Sequence, residues 1–327
     1  MSGMELLCNL LFEVSNEDRL RILHLLHQQG MNVTQLSKAL GLSSQEASRH
    51  MSRLNKIGVT IKESDGKYHL TLYGKLLLTQ IQGIDFTSRH QQYFRDHTLD
   101  QLPCPFNHRL GELSSSTFIS DIMVVFTNIE TVIQEAEEYL WVITDQYLPS
   151  NMSLHIAAYE RGVRERDIEA KNWVVPQRIK ESLRDEEAIA QGIHHARATA
   201  VLEERMLDQL DLYLFMSEKE VAIVAFPLPD GRFDYFGFSS TDDQAHAWCR
   251  DVFEHYWERA YPRLKLADEL FWWIKKEPVI MRVFKQIASG VTVVQNEVMS
   301  VLEEKFLVKE GQLTILGDHV YHRLLNS

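Results

Sequence analysis

Cysteine is scarce in this 327-residue chain, and long apolar runs are missing. Its three cysteines, Cys8, Cys104 and Cys249, lie far apart and form no Cys-x-x-Cys or Cys-x-Cys pair. Neither a disulfide framework nor a local metal site is therefore indicated. No run of about 18 apolar residues is present, and acidic residues stand where a secretory signal would be basic. We expect a cytoplasmic protein with reduced thiols, no membrane partner, and no bound metal or other cofactor.

Basic residues are outnumbered, with 34 Lys and Arg against 46 Asp and Glu and a formal net charge of −12. The imbalance is uneven along the chain. Residues 1–82 contain nine basic and seven acidic residues, net +2, so the remainder carries net −14. Most of such a molecule repels a polyanion, and only its N-terminal part can attract one. Length and composition otherwise indicate an ordinary globular protein of two or three domains.

The segment GLSSQEASRHMSRLNKIG, residues 41–58, predicts a helix with a cationic outer face. Ser43 and Glu46 have the spacing of a capping box, and an apolar residue recurs at helical spacing from Ala47 to Ile57. Long donors and short hydroxyls on the opposite face suit base edges and phosphate oxygens. An ordinary solvated helix face is the alternative interpretation of this segment alone.

The neighbouring elements favour DNA binding. Residues 15–30 predict one helix, and residues 32–41 predict a short second helix that ends at Gly41, which gives helix-turn-helix spacing. Asp65-Gly66 between two short alternating runs predicts a β-hairpin. These elements together form a winged helix, in which the recognition helix enters the major groove and the hairpin follows the DNA backbone.

Eight side chains of this domain are predicted to contact double-stranded DNA. Gln45, Ser48 and Arg49 would face base edges. The residues that would face phosphates are Ser44, Arg53, Lys56, Lys62 and Lys67.

Residues 71–98 predict one long amphipathic helix, whose apolar residues are Leu76, Leu77, Ile81, Ile84 and Phe94. Pairing of this helix with its twin would place two recognition helices about one turn of DNA apart, so we expect a homodimer. Packing of the helix on its own chain is the alternative. Two prolines, a glycine and three serines then mark a linker.

Residues 118–262 alternate helices and strands and then form hairpins, which indicates a mixed α/β domain. Ligands of open α/β sheets bind beyond the carboxyl ends of strands. The candidate effector-binding residues are Thr144, Asp145, Gln146 and Tyr147, which follow one strand, and Arg166 in the neighbouring strand. For Asp145, a role in a turn or helix cap is the alternative.

The C-terminal residues 263–327 contain a sequence pattern that is also present at the wing. Leu313–Gly317 repeats the Leu-Thr-x-x-Gly pattern of residues 70–74, again after a small hairpin, which predicts a second winged-helix-like unit. Glu297, Glu303 and Glu304 occupy its helix where the first copy is basic, so it would pack or dimerise rather than bind DNA. Chance similarity is the alternative.

The sequence thus predicts an α+β multidomain protein. Residues 1–97 would form the winged helix-turn-helix domain with its dimerisation helix, and residues 98–117 the linker. Residues 118–262 would form the central α/β effector-sensing domain, and residues 263–327 a degenerate, helical winged-helix-like module.

Two family resemblances agree with this organisation. SNEDRLRILHLL and LSSQEASRHMSRLNKIGV resemble the first and recognition helices of ArsR-type winged-helix regulators. YLWVITDQ, RGVRERDI, AIVAFPLPDGRFDYFGFSS and AWCRDVFEHYW resemble the sensor domain of archaeal methanogenesis-regulator-like and sugar-sensing regulators, a fold related to half of a phospholipase D. The resemblance implies a sequence-specific transcriptional regulator whose operator affinity is modulated by a small-molecule effector. Metal sensing is not implied, because the Cys-x-Cys pair of metal-sensing relatives is absent.

Phospholipase D chemistry needs a nucleophilic His with a Lys two residues later. None of the 14 histidines has a Lys at that spacing, and the nearest match is His195-Ala196-Arg197. We therefore expect no enzymatic activity. Two alternatives remain: a divergent phosphodiesterase-like enzyme, and an interaction scaffold whose winged helix binds another protein.

Overall fold

The computed structural model describes residues 2–146, 148–174, 187–293 and 297–325. The chain forms two compact units. The first comprises Met1–His90 and His108–Ser114, and the second comprises Gln91–Asn107 and Ser115–Ser327. The fold is α+β and multidomain, as the sequence predicts, with helices at both ends of the chain and a mixed sheet between them.

The first unit is a winged helix. Its elements are α1 (Gly3–Val14), α2 (Glu17–Gln28), α3 (Val33–Leu40), α4 (Ser44–Lys56), β1 (Thr60–Lys62), β2 (Tyr68–Leu70) and α5 (Leu72–Arg89). Ile22, Leu23, Leu36, Met51 and Leu54 are fully buried and form its core.

Local signals explain where these elements begin and end. The capping box of α4 is present, because Ser43 Oγ accepts the Glu46 N–H at 3.2 Å and Glu46 Oε2 accepts the Ser43 N–H at 2.9 Å. The turn before α4 passes through Gly41 at φ +68°, and the hairpin turns at Gly66 with φ +83°. Both values lie in the left-handed region that favours glycine.

The predicted helix over residues 71–98 is broken at His90, and its two parts belong to different units. The second part, α6 (Gln91–Asp96), packs with the second unit. There Tyr93 Oη donates to the Phe236 carbonyl at 3.1 Å and accepts the Phe226 N–H at 2.8 Å. These hydrogen bonds hold α6 against the sheet, so Phe94 is not available to a dimerisation helix.

In the second unit, eight strands of the described residues form one mixed sheet in the order β10-β6-β5-β4-β7-β8-β9-β3. The strands are β3 (Thr117–Ile119), β4 (Tyr139–Thr144), β5 (Arg164–Ala170), β6 (Leu202–Leu207), β7 (Tyr213–Ser217), β8 (Val221–Ala225), β9 (Gly237–Ser240) and β10 (Tyr261–Pro262). Strands β4, β5 and β6 are parallel, and the other pairings are antiparallel.

Helices of the second unit follow the predicted alternation. The helices that precede β3 or connect the strands in the sequence are α7 (Cys104–Asn107), α8 (Ile122–Glu135), α9 (Met152–Glu160), α10 (Glu187–Ala198) and α11 (Asp243–Arg259). The C-terminal module contains α12 (Arg263–Lys275), α13 (Pro278–Ala288), α14 (Glu297–Glu304), β11 (Val308–Lys309), β12 (Gln312–Leu313) and α15 (Ile315–Leu325). It has an apolar core of its own around Phe284, Leu302, Leu307 and Leu316.

The wing of the first unit is tied to α5 by the Leu-Thr-x-x-Gly motif. Thr71 Oγ1 donates to the Gly58 carbonyl at 2.7 Å and accepts the Gly74 N–H at 3.0 Å, which caps α5. A Cβ added at Gly74 would collide with the carbonyl oxygen of Val59. The glycine is therefore required by the close approach of two backbones.

The C-terminal hairpin repeats these contacts. Thr314 Oγ1 donates to the Phe306 carbonyl at 2.5 Å and accepts the Gly317 N–H at 2.9 Å. A Cβ added at Gly317 would collide with the carbonyl oxygen of Leu307. The repeated motif thus makes the same contacts after both hairpins.

Candidate functional site

The recognition helix α4 has the predicted division between an apolar and a polar face. Ala47, Met51 and Leu54 are fully buried. His50 is buried beside them, which the sequence analysis did not predict, and this burial lowers its pKa. The exposed residues predicted to contact DNA from this helix are Ser44, Gln45, Ser48, Arg49 and Lys56. Arg49 and Lys56 form no ion pair with any residue that the structure describes.

Arg53 differs from the prediction. Its guanidinium donates to both carboxylate oxygens of Glu13 on α1, at 2.7 and 2.8 Å. It also lies 5.4 Å from the centre of the Phe12 ring. The hydrogen bond from Arg53 lowers the pKa of Glu13. The charge of Arg53 is therefore compensated within the first unit, and the phosphate contact predicted for it is not available in this arrangement.

The wing presents one exposed lysine and one partly neutralised lysine. Lys62 on β1 is exposed, with its ammonium 5.6 Å from the centre of the Tyr68 ring. Lys67 is half-buried, and its ammonium lies 3.6 Å from the Asp65 carboxylate. Lys62 is therefore better placed than Lys67 to meet a phosphate. We use the name recognition surface for the exposed set Ser44, Gln45, Ser48, Arg49, Lys56 and Lys62.

The second unit contains a cavity of about 610 Å³ between the parallel part of the sheet and the C-terminal module. Residues of β4, β5, β6 and β7 form one wall, and α9 and α10 form another. The C-terminal module contributes Arg263, Ile315, Asp318 and His322. This volume is within the usual range for small-molecule sites.

Two of the predicted effector-binding residues line this cavity. They are Thr144 and Gln146, and the Thr144 hydroxyl joins them because it donates to the Gln146 carbonyl at 2.7 Å. Asp145 does not line it, and lies in a separate depression where its carboxylate accepts the Tyr235 O–H at 3.0 Å. Burial there raises the pKa of Asp145. Tyr147 lies outside the described residues.

Arg166 also differs from the prediction, because it projects from the opposite face of the sheet. Its guanidinium lies 5.7 Å from the Trp141 ring centre and 5.1 Å from that of Trp257, and 3.6 Å from the Glu254 carboxylate. Successive side chains of a strand alternate between faces. Arg166 therefore packs against aromatic rings on the side of the sheet away from the cavity.

The same alternation brings three acids that the sequence analysis missed to one face of β5. Glu165, Asp167 and Glu169 are all buried, and the first two line the cavity. The signal was present in RERDIEA, where acids occupy every second position of the strand. Acids at every second position share one face of a strand, and burying several of them is costly, so such a face is a candidate functional site.

Three residues that line the cavity, Glu204, Arg197 and Arg263, form an ion-pair network with the buried Glu169. Arg197 binds both oxygens of Glu204 at 2.7 Å, and Arg263 lies 2.7 Å from Glu204 and 3.1 Å from Glu169. Burial opposes ionisation of Glu204, but the charges of Arg263 and Arg197 outweigh it and lower its pKa to about 2. Burial raises the pKa of Glu169 to about 7 against the attraction of Arg263.

In the described part of the chain, no group of three His, Cys, Asp or Glu side chains is arranged to hold a metal ion. No helix within those ranges is long and apolar enough to cross a bilayer. His195 is exposed and is not among the residues that line the cavity.

Comparison with known proteins assigns the N-terminal elements. Residues 14–61, which include α2, α3 and α4, match a family described as a helix-turn-helix domain. No curated protein matches the chain.

Solved structures show partial similarity. The chain is similar to TrmBL2, described as an archaeal chromatin protein with a novel mode of DNA binding, at 19% identity and a TM-score of 0.35, over 76% of this chain and 94% of that one. It is similar to Nuc, a phospholipase D family member from Salmonella typhimurium, at 11% identity and a TM-score of 0.29, over 42% of this chain and 89% of that one.

A helix-turn-helix with a capped, polar recognition helix and a hairpin wing defines the first unit as a winged-helix DNA-binding domain. The winged-helix prediction is thus confirmed. The chain thus carries an N-terminal winged-helix domain, a fold typical of DNA-binding proteins, followed by a mixed α/β unit.

Proposed function

We propose that this protein is a transcriptional regulator whose affinity for its operator is changed by a small molecule bound in the cavity of the second unit. The observation that carries the proposal is the recognition surface. All of its side chains except Lys62 lie on α4, whose opposite face is fully buried, so the helix cannot rotate its polar side inward. Such a surface suits the major groove.

The cavity is the proposed effector site because it joins two parts of the second unit. Its walls include strand residues such as Thr144 and C-terminal residues such as Asp318. A ligand that binds there contacts both, and it can favour one packing of the C-terminal module over another. Coupling of about 1–3 kcal/mol to DNA affinity is the usual size of such an effect.

A homodimer is the proposed assembly. Three apolar side chains of α5, Leu72, Leu76 and Ile84, are 87%, 60% and 62% exposed. Leu77 and Ile81, by contrast, pack against the core of their own unit. The helix therefore has one face buried in its own domain and another apolar face available to a second copy, which would let two recognition helices read a palindromic site.

We further propose that the cavity binds its ligand without catalysing a reaction of it. The sequence contains no His-x-Lys pair, and His195 is exposed outside the cavity lining. Incubation with a generic phosphodiester substrate should therefore give no hydrolysis above the buffer rate. Hydrolysis that vanishes in His195→Ala would instead identify a divergent phosphodiesterase.

Binding to DNA is tested by mobility shifts of the full-length protein at several salt concentrations. We expect affinity to fall steeply with salt, because phosphate contacts release counterions. Binding that is absent, or that does not depend on salt, would favour a scaffold whose winged helix contacts a protein partner.

A further inference from the structure

One carboxylate in the cavity has no counter-charge of its own. The ion-pair network balances its two acids with its two arginines. Glu165 accepts a hydrogen bond from His155 Nδ1 at 2.7 Å and another from the Tyr159 hydroxyl at 2.8 Å. Asp167 is only 5% exposed, and its Oδ1 has no hydrogen-bond partner among the described residues. A buried polar atom without a partner is costly, so Asp167 Oδ1 requires a hydrogen-bond donor that the described residues do not supply.

The walls around Asp167 suit an organic cation. Tyr159, Tyr213 and Phe215 line the cavity, and the two aromatic residues of β7 are almost completely buried. Aromatic faces attract ammonium groups, most strongly where water is excluded. The other walls include apolar side chains such as Ile129 and Ile193, which would cover the body of a ligand.

Two side-chain amides give the site a second polar feature. Asn151 is 2% exposed and its Nδ2 has no hydrogen-bond partner in the described structure, and the same holds for Nε2 of Gln146. Both residues line the cavity. Each amide nitrogen requires an acceptor, which a hydroxyl, ether or carbonyl oxygen of a ligand would provide.

We propose that the cavity binds a small organic cation, with its ammonium group on Asp167 Oδ1 and a hydrogen-bond acceptor near the Asn151 amide. This proposal rests on the proposed function only in taking the cavity as the effector site. An anion would meet Asp167 and Glu165 while both arginines are already paired. A neutral polyol could hydrogen-bond to Asp167 but would not pair with its ionised carboxylate.

Three probes with one aromatic body and different head groups test the proposal. They are 4-hydroxyphenethylammonium, the corresponding alcohol and the corresponding carboxylate, titrated calorimetrically into the full-length protein. We expect the cation to bind at least about tenfold more tightly than the alcohol, because hydrogen bonds to a charged partner are the stronger kind. The carboxylate should bind most weakly. Equal binding of the cation and the alcohol, or no binding of any probe, would overturn the proposal.

A substitution identifies the group responsible. Asp167→Asn should reduce the preference for the cation over the alcohol to about twofold or less, because the amide keeps the shape and removes the charge. Glu220→Gln is the matched control, since Glu220 is a half-buried acid that does not line this cavity. It should keep the preference. A preference that survives in Asp167→Asn, or that is lost equally in Glu220→Gln, would contradict the assignment.

The pH dependence of wild-type binding gives a second measurement that needs no variant. Burial and then the neighbouring Glu165 raise the pKa of Asp167 well above its usual range. The charged and titratable groups that line the cavity together with Asp167 are Glu165, His155, Tyr159, Glu204, Arg197, Tyr213, Arg263, Asp318 and His322.

An ammonium ligand stays protonated up to a pH of about 10 and must displace the proton of Asp167. Its affinity should therefore rise with pH, by up to about tenfold per unit while that proton is present in the empty cavity. The alcohol should show no such rise. A cation affinity that is independent of pH between 5 and 8 would overturn the proposal. DNA binding is measured separately, so a regulator with a neutral ligand would fail these tests and still give salt-dependent mobility shifts.

Discussion

Arg49 and Lys62 are both exposed cations of the first unit, and they are expected to do different things. Arg49 lies on α4, where a guanidinium can grip a guanine, whereas Lys62 lies on the wing beside the DNA backbone. Arg49→Ala should lower affinity for the best site by about 1–3 kcal/mol and relax its sequence preference, and Lys62→Ala should weaken all sequences alike. Mobility shifts on matched and mismatched sites separate the two. Identical behaviour of both variants would refute these roles.

Glu13 holds Arg53 in an ion pair, so removing the charge of Glu13 is expected to raise the affinity for DNA. Glu13→Gln removes the carboxylate that binds Arg53 and leaves the guanidinium able to reach a phosphate. DNA affinity should rise, and the slope of log affinity against log salt should steepen by about 0.9 for one added phosphate contact. Glu17→Gln makes the same change in charge on an exposed position of α2. If both variants steepen the slope equally, the effect is general charge and not Arg53.

Contacts between residues close together in the sequence could be predicted, whereas contacts between distant residues could not. Ser43 and Glu46 are three residues apart, and their capping box follows from helix geometry. Arg53 and Glu13 are 40 residues apart, so their ion pair depends on how α1 packs against α4. The acids of β5 alternate visibly, but which face of β5 meets the cavity is fixed by the helices and the C-terminal module. Arg166 was therefore assigned to the wrong face.

The packing of each hairpin against the helix that follows it requires a glycine in the first turn of that helix. Gly74→Ala and Gly317→Ala should each destabilise the protein by about 1–3 kcal/mol, the usual cost of forcing atoms into a packed site. Gly83→Ala on α5 is the control, because its nearest neighbour would be at an ordinary 3.7 Å. It should stabilise by about 0.5–1 kcal/mol through helix propensity. Denaturant unfolding measures the free energy of unfolding of all three variants. An unchanged stability of Gly317→Ala would show that the second hairpin does not need its glycine.

Elements with local signals were predicted better than their arrangement. The Asp65-Gly66 hairpin and the recognition helix follow from turn chemistry and apolar spacing. The position of β4 between the parallel β5 and the antiparallel β7 depends on pairings between distant segments, which no local pattern contains. The break at His90 was missed for the same reason, since α6 is held by contacts to residues near 226 and 236.

The exposed apolar face of α5 leads to a prediction about the whole molecule. Leu76→Glu places a charge in the proposed dimer interface and should give a monomer in sedimentation experiments. DNA affinity should then fall by about 100-fold or more, because the second half-site is no longer bound by a linked copy. Gln28→Glu adds the same charge at an exposed position of α2, outside the proposed interface, and should remain a dimer. A wild-type protein that is already monomeric would contradict the proposed assembly.

Recovery of genomic DNA fragments by the full-length protein tests the central claim most directly, with Arg49→Ala measured in parallel. If the recognition surface reads DNA, the wild-type protein should enrich fragments that share one short, two-fold symmetric sequence, and Arg49→Ala should lose that enrichment while keeping weak general binding. Fragments without a common sequence, or the same sequence recovered equally by Arg49→Ala, would contradict it.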